Sequence, residues 1–165
     1  MTDDGGQRRQ ATDAALRYLT PRARSTQEMR LYLTRRDIPA DVAEGVLTDL
    51  QRRGLLDDLE FARNWIEWRM RSKPAGTRLV ERELQDKGIP AETIEQLLSE
   101  SAGAMDSVPA AAAVLRRQHR RYAGLERTAA YRRLLGLLAR RGFDQHIARK
   151  AVDLVWEEWH RHEGN

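Results

Sequence analysis

Residues 25–39 read STQEMRLYLTRRDIP, and residues 76–90 read GTRLVERELQDKGIP, an interval of 51 positions. In both stretches two apolar side chains lie four apart, Met29 with Leu33 and Val80 with Leu84. That spacing is typical of one face of an α-helix. The Ile-Pro pair that closes each stretch ends the helix, because proline disfavours helical backbone in the residue before it. The sequence therefore contains a duplicated helix followed by a duplicated break.

Further helices surround these two stretches and extend the duplication to a third, looser copy. Apolar residues recur at helical spacing, no segment alternates with period two, and Pro109 begins a copy whose break is Gly142-Phe143-Asp144. A self-similar unit of about 50 residues is typical of stacked repeats. We predict an all-α fold of three tandem three-helix repeats, helix-turn-helix-like units that form an elongated, curved array. One compact nine-helix bundle is the alternative.

The breaks also predict where each repeat begins and ends. Gly54 is placed to end the third helix, and the Ser and Gly residues after Glu100 predict a flexible joint before the third repeat. The predicted division is a flexible N-terminus 1–10, repeat 1 at 11–54, repeat 2 at 55–102, a joint at 103–108, repeat 3 at 109–160 and a flexible tail at 161–165.

The charge of the chain is small but unevenly distributed. Of 165 residues, 29 are basic and 25 acidic, and all basic residues except Lys73, Lys87 and Lys150 are arginine. Residues 1–106 carry 17 basic and 19 acidic side chains, whereas residues 107–165 carry 12 and 6. This asymmetry favours a polyanion or an acidic protein surface as the partner of the C-terminal part. Solvated helix faces in an arginine-rich protein are the alternative interpretation.

Several classes of protein and site are not supported by the sequence. There is no apolar run of roughly 18 residues and no secretory h-region. There is also no cysteine, which is compatible with a reducing cytoplasm. No Gly-rich phosphate loop or H-E-x-x-H motif occurs, and Asp57-Asp58 is better explained as a helix start than as a catalytic pair. We expect a cytoplasmic, non-enzymatic binding protein without cofactor, metal, membrane segment or small-molecule substrate.

Basic clusters are the candidate contact residues. On a seventh helix predicted to run through Arg121, four arginines recur at i, i+1, i+4 and i+5 and form one stripe: Arg116, Arg117, Arg120 and Arg121. Arginine offers planar, multidentate donors that suit phosphate or carboxylate oxygens. The other candidates lie on the eighth helix, at the corner between helices four and five, and at the corner between helices one and two: Arg132, Arg133, Arg140 and Arg141; Arg69, Arg71, Lys73 and Arg78; Arg22 and Arg24.

The sequence also resembles a known family. The motif Gly54-Leu55-Leu56-Asp57-Asp58-Leu59-Glu60-Phe61-Ala62, with Trp65, Arg69, Gly76, Glu83-Leu84 and Lys87-Gly88-Ile89 after it, is similar to the hallmark block of the RecX family. Residues 15–28 resemble the N-terminal motif of the same family. The structural motif residues of this resemblance are Asp57, Asp58, Phe61, Ala62, Trp65, Gly76, Leu84 and Gly88. The resemblance covers most of residues 11–160 and is looser in the third repeat.

This resemblance implies a function in DNA repair, homologous recombination and the SOS response. RecX proteins modulate RecA: they bind the RecA–DNA filament in its groove and inhibit strand exchange, ATP hydrolysis and coprotease activity. The implied partners are the RecA filament, single-stranded DNA and, as a second form, double-stranded DNA. Two alternatives stay open, a helix-turn-helix transcription regulator and a helical protein–protein adaptor. The starts of helices three and six, Ala40-Asp41 and Ala91-Glu92, argue against the transcription regulator. The acidic side chains at these positions repel the phosphates of DNA.

Overall fold

The structure is a computed structural model that describes residues 4–161, and within that range it consists of helices without a strand. The helices are α1 Asp4–Leu19, α2 Thr26–Thr34, α3 Ala40–Arg52, α4 Asp58–Ser72, α5 Thr77–Asp86, α6 Ala91–Met105, α7 Val108–Arg116, α8 His119–Tyr122, α9 Arg127–Arg140 and α10 Gln145–His160. None of these helices combines the length and apolarity needed to cross a membrane.

The helices group into the three predicted repeats. Repeat 1 consists of α1–α3, repeat 2 of α4–α6, and repeat 3 of α7, α9 and α10 with the short α8 between them. The all-α prediction with three helical repeats is thus confirmed. By compactness the chain divides into two units, residues up to 64 together with 84–93, and residues 65–83 together with those from 94 onward. Repeat 2 is therefore shared between the units.

Each end repeat has its own apolar core, made by the residues that the helical spacing singles out. In repeat 1 the buried cluster is Ala11, Ala15, Met29, Leu33, Val42, Ala43, Val46, Leu47, Leu50 and Leu56. In repeat 3 it is Ala111, Ala112, Val114, Leu115, Tyr122, Leu134, Leu138, Phe143, Ala148, Ala151, Val152 and Val155. Burial of such apolar surface is the main favourable term in folding.

Two helix ends follow the local rules. Ser25 caps α2 in a reciprocal capping box, in which its side chain accepts from the Glu28 amide and the Glu28 carboxylate accepts from the Ser25 amide. After α3, Gly54 has φ of 71°, and the Leu55 amide donates back to the Leu50 carbonyl at 2.9 Å. A left-handed glycine after the last turn is the usual end of a helix. These ends hold the three helices of repeat 1 in short, defined connections.

The segment predicted to be a flexible N-terminus, residues 1–10, contains the first turns of a helix. Helix α1 begins at Asp4, and the Arg8 guanidinium forms an ion pair with the Asp49 carboxylate of α3 at 2.5 Å. This ion pair links α1 to a residue 41 positions away in the sequence. Residues 1–3 lie outside the described residues. Of the predicted tail 161–165, only Arg161 lies within them.

The segment predicted to be a joint, 103–108, contains the end of α6 and the start of α7. Helix α6 continues to Met105, which is buried, and the side chain of Ser107 caps α7 by accepting from the Ala110 amide at 3.3 Å. Asp106, between these two residues, accepts two hydrogen bonds from Thr77. This segment therefore contributes a buried methionine and two capping interactions to the fold.

The seventh helix ends earlier than the prediction of one helix through Arg121. Helix α7 ends at Arg116, and the chain turns at Gln118, whose amide bonds to the Leu115 carbonyl at 2.8 Å before α8 begins. The sequence has no Gly or Pro here. Tertiary contacts hold the turned segment instead, since Tyr122 is buried in the repeat 3 core and a ring nitrogen of His160 lies 3.2 Å from the Ala123 carbonyl oxygen.

Consecutive repeats meet through the first turn of their second helix. In the first unit, the Thr26 amide of α2 donates to Oδ1 of Asp58 at 2.8 Å, and the Ser25 hydroxyl donates to the Lys87 carbonyl at 2.7 Å. In the second unit, the Thr77 amide of α5 donates to Oδ1 of Asp106 at 2.9 Å. A carboxylate at or just before the start of the following repeat thus satisfies an amide that the helix leaves unpaired.

The turn between the second and third helix completes this contact. A Cβ added at Gly88 would lie 2.5 Å from Cβ of Gln27, and a Cβ added at Gly142 would lie 2.4 Å from the Leu79 nitrogen. Both glycines have positive φ, 74° and 82°. The corresponding residue of repeat 1 is Asp37, also left-handed at 57°. A side chain is accommodated at Asp37 because no earlier repeat packs on it among the described residues.

Candidate binding surface

The predicted arginine stripe of the seventh helix is divided by the structure. Arg116 forms a two-point ion pair with Glu158 of α10, with nitrogen–oxygen distances of 2.9 and 2.8 Å. The hydrogen bond from Arg116 lowers the pKa of the Glu158 carboxyl, and the same bond raises the pKa of Arg116. Arg117 donates to the Ser72 carbonyl at 3.0 Å. Two of the four arginines therefore already have hydrogen-bond partners within the chain.

The other two lie on the separate helix α8. Arg120 and Arg121 are exposed, and neither has an ion-pair partner among residues 4–161. Arg121 lies over the ring of the adjacent Tyr122, 5.4 Å from its centroid. The break after Arg116 places these two residues on a different axis from Arg116 and Arg117. The structure thus provides an exposed pair, not a four-residue stripe.

At the basic corner before α5, two of the four cations are paired with carboxylates. Arg69 forms a two-point ion pair with Glu83, and the Trp65 indole nitrogen donates to the same carboxylate at 2.9 Å. Arg78 faces Asp144 at 3.4 Å, in an exposed pair that contributes little to stability. Lys73 lies 5.9 Å from the Trp68 ring centroid. Arg71 is exposed and has no ion-pair partner among the described residues.

The equivalent corner of repeat 1 is engaged in the same manner. Arg22 pairs with Glu28 at 2.8 Å. Arg24 lies 3.9 Å above the Tyr18 ring and donates to the Tyr18 carbonyl at 3.2 Å. Tyr18 stacks on Tyr32 with ring centroids 4.0 Å apart. These cations stabilise the entry to α2 and are less available to an external anion.

Helix α9 carries the freest of the predicted candidates. Arg132, Arg133 and Arg140 are exposed, none has an ion-pair partner among residues 4–161, and α9 contains no acidic residue. Arg141 is half-buried, and its carbonyl accepts from the Gly76 amide at 2.8 Å. Sequence reasoning missed Arg127 at the start of this helix. Its signal was available, because it belongs to the same acid-free segment.

The structural motif residues occupy the start of α4 and the contacts between repeats. Asp57 caps α4 by accepting from the Glu60 amide at 3.1 Å, as its position predicted. The apolar motif residues Phe61, Ala62 and Leu84 are buried. Asp58, Gly76 and Gly88 lie in the repeat contacts described above. No group of three or more histidine or carboxylate side chains within residues 4–161 is placed to hold a metal ion.

The helical repeats match family models one by one. Residues 11–50 match the model described as RecX, first three-helix domain. Residues 57–98 match the second three-helix domain of RecX, and residues 107–152 match the third. The three models occur in order along the chain and coincide with repeats 1, 2 and 3.

Individual relatives agree with the family models. Regulatory protein RecX of Streptomyces coelicolor is 34% identical over 149 residues, covering 90% of this chain and 79% of the relative. Regulatory protein RecX of Mycolicibacterium smegmatis is 36% identical over 148 residues, covering 88% and 79%. The crystal structure of RecX from Lactobacillus salivarius superimposes with a TM-score of 0.76 at 20% identity, covering 92% of this chain and 97% of that one. The chain belongs to the RecX family of regulatory proteins.

Proposed function

We propose that this protein binds the RecA–DNA filament along its groove and inhibits or modulates the recombinase, ATPase and coprotease activities of RecA in DNA repair and the SOS response. The observation that carries the proposal is the ordered match of all three RecX domains to the three repeats. The names of the relatives support a regulatory role for this chain. Contacts made by several repeats along one filament add, so that weak individual patches give useful affinity.

The charge distribution supports the same proposal. Repeat 3 carries exposed arginines on α8 and α9 without ion-pair partners in the described part of the chain: Arg120, Arg121, Arg132, Arg133 and Arg140. Clustered cations of this kind favour a polyanion, because an external anion relieves their mutual repulsion. The paired arginines of repeats 1 and 2 contribute less, since a carboxylate already occupies Arg22 and Arg69.

DNA-stimulated ATP hydrolysis by RecA tests the proposal directly. Purified protein added at substoichiometric amounts to RecA filaments on single-stranded DNA is expected to lower the steady-state ATPase rate, and to co-sediment with the filaments. Bovine serum albumin at the same concentration serves as the control. An unchanged ATPase rate together with no co-sedimentation contradicts the proposal. Strong binding to single-stranded DNA without RecA, leaving the ATPase unaffected, favours a separate DNA-binding role.

A further inference from the structure

A largely apolar groove of about 430 Å³ lies along the first turns of α9. Its lining is Arg127, Thr128, Tyr131, Arg132 and Leu135. Tyr131 and Leu135 are half-buried and pack on the core of repeat 3, so they form a floor, while Arg127 and Arg132 are exposed at its edge. Neither arginine has an ion-pair partner among residues 4–161. The groove thus combines an apolar floor with uncompensated positive charge.

The same helix face is covered by protein in the two preceding repeats. The left-handed turn residues Asp37, Gly88 and Gly142 align the three repeats, and Thr26, Thr77 and Tyr131 each lie the same distance before them, so these three residues correspond. Helix α9 begins about one turn earlier, at Arg127. Thr26 donates its amide to Asp58, at the start of repeat 2, and Thr77 donates its amide to Asp106, just before repeat 3. The next residue also contacts the following repeat: Gln27 packs against Gly88, and Arg78 faces Asp144 at 3.4 Å. The counterpart of these two residues in repeat 3 is Arg132, which lines the groove.

In repeat 3 this face has no following repeat within the described residues. The first-turn amides of α9 are satisfied locally, because the Glu126 carboxylate accepts from Thr128 at 2.9 Å and from Ala129 at 3.1 Å. The Tyr131 amide, the counterpart of the Thr26 and Thr77 amides, lies one turn inside α9 and needs no acceptor from another repeat, but the side-chain face stays uncovered. Asp153, close to the Tyr131 hydroxyl, is the acidic neighbour of the floor. Within residues 4–161 it forms no ion pair with either edge arginine.

We propose that this groove binds a polypeptide segment of a partner protein in which an apolar side chain is flanked by carboxylates. The apolar side chain packs on Tyr131 and Leu135, and the carboxylates pair with Arg127 and Arg132. The covered faces of repeats 1 and 2 provide the precedent, since in both a carboxylate comes from the protein surface that packs there. A nucleic-acid backbone suits this groove less well, because phosphates gain nothing from its apolar floor.

A second copy of this chain is a poor occupant. The contact between repeats requires a glycine at the turn of the incoming repeat, because a Cβ at Gly88 or Gly142 would lie 2.5 or 2.4 Å from the preceding repeat. The turn of repeat 1 instead carries Asp37. Its side chain blocks docking of repeat 1 onto α9 in the same geometry. The proposal goes beyond the filament-binding function and does not depend on RecA being the partner.

Peptide binding tested on the full chain can distinguish the occupants. The probe is a fluorescein-labelled 12-residue peptide of alternating Glu and Leu blocks, compared with a Glu/Ser peptide, a Lys/Leu peptide and a single-stranded oligonucleotide. Amide ¹H–¹⁵N shifts of Thr128, Tyr131 and Arg132 locate the binding. Thr128→Trp fills the groove from an exposed position, and Thr48→Trp on α3 is the matched control. Arg127→Gln/Arg132→Gln removes the edge charges, with Arg35→Gln/Arg53→Gln as the equal-charge control.

We expect the Glu/Leu peptide to bind most tightly and to shift the α9 amides. Both groove variants should weaken it at least tenfold while the control variants do not. Thermal unfolding checks that the variants remain folded. Glu/Leu binding no tighter than Glu/Ser binding, or shifts away from α9, overturns the proposal. If the arginine variant weakens only the binding of the oligonucleotide, the groove binds nucleic acid instead. If the protein sediments as a dimer that Thr128→Trp dissociates, the groove binds a second copy. Either result overturns the proposal. Inhibition of RecA ATPase is a separate readout, and its absence leaves the peptide result intact.

Discussion

Thr77 donates both its backbone amide and its hydroxyl to the carboxylate of Asp106, at 2.9 and 2.5 Å. The residue 51 positions earlier, Thr26, donates its amide to Asp58 at 2.8 Å. In each case an acid at or just before the start of the next repeat accepts a hydrogen bond from the first turn of the second helix of the preceding repeat. The repeats of this chain therefore stabilise each other's helices as well as packing side by side, as neighbouring repeats do in such arrays.

Replacing Asp106 with alanine should destabilise the protein by about 1–3 kcal/mol, because two donors of Thr77 lose a charged acceptor in a partly buried site. Urea unfolding followed by circular dichroism measures the change. Asp86→Ala, at an exposed residue without an ion-pair partner in the described part of the chain, is the control and should cost much less. Combining Asp106→Ala with Thr77→Val should show coupling. Fully additive effects of the two substitutions would contradict the assigned contact.

Gly142→Ala should destabilise the protein far more than Gly54→Ala. Both glycines have positive φ, so both substitutions carry the left-handed backbone penalty of about 1 kcal/mol. A Cβ at Gly54 meets nothing within 4 Å, whereas one at Gly142 would lie 2.4 Å from the Leu79 nitrogen. Overpacking against backbone adds roughly 1–3 kcal/mol. Thermal melting of the two variants compares them, and equal losses would show that Gly142 is required only for its backbone angle.

Glu28 should make the protein sensitive to acid. Burial alone raises its pKa, but hydrogen bonds from Arg22, Lys87 and the Ser25 amide outweigh burial and lower the pKa from 4.5 to about 2. A carboxyl whose folded-state pKa is lowered stabilises the protein above its unfolded pKa, and that contribution is lost as pH falls through the folded value. The ionised form therefore contributes roughly 2–3 kcal/mol at neutral pH.

Glu28→Gln isolates this contribution. The difference in unfolding free energy between wild type and variant should be largest near pH 7, shrink below about pH 4.5, and nearly vanish near pH 2. Urea unfolding at several pH values measures it, and all other titrating groups cancel in the difference. Glu44→Gln, at an exposed ion pair with Arg30, is the control and should show little pH-dependent difference. A constant difference for Glu28→Gln from pH 7 to pH 3 would refute the assignment.

Removing the free cations of α9 should weaken binding to single-stranded DNA, if the proposed function is right. Arg132→Gln/Arg133→Gln/Arg140→Gln is expected to reduce the slope of log affinity against log salt by about 2, since each lost phosphate contact contributes roughly 0.7. Fluorescence anisotropy at several salt concentrations measures the slope. Arg35→Gln/Arg53→Gln/Arg63→Gln removes equal charge from exposed positions outside repeat 3 that have no ion-pair partner among residues 4–161. Equal reductions by the two triple variants would assign the effect to net charge alone.

Much of the fold could be predicted from local sequence. The apolar spacing of Met29 with Leu33 and of Val80 with Leu84, the capping box at Ser25, and Gly54 after α3 all act within a few residues of the chain. For this reason the number of repeats and most helix ends were predicted. The break after Arg116 could not be, since no local signal marks it and the burial of Tyr122 in the core of repeat 3 supports it.

The candidate surface depended on contacts that the sequence does not display. The sequence alone determined that repeat 3 is rich in arginine, because composition is a local property. Only the tertiary structure decided which cations remain available. Arg116 pairs with Glu158, 42 positions away in the sequence, and Arg117 donates to the carbonyl of Ser72, 45 positions away. Helix formation follows from neighbours along the chain, whereas ion pairing follows from neighbours in space. The repeat could therefore be predicted from the sequence, whereas the arginines of α9 that lack ion-pair partners among residues 4–161 could be identified only from the folded structure.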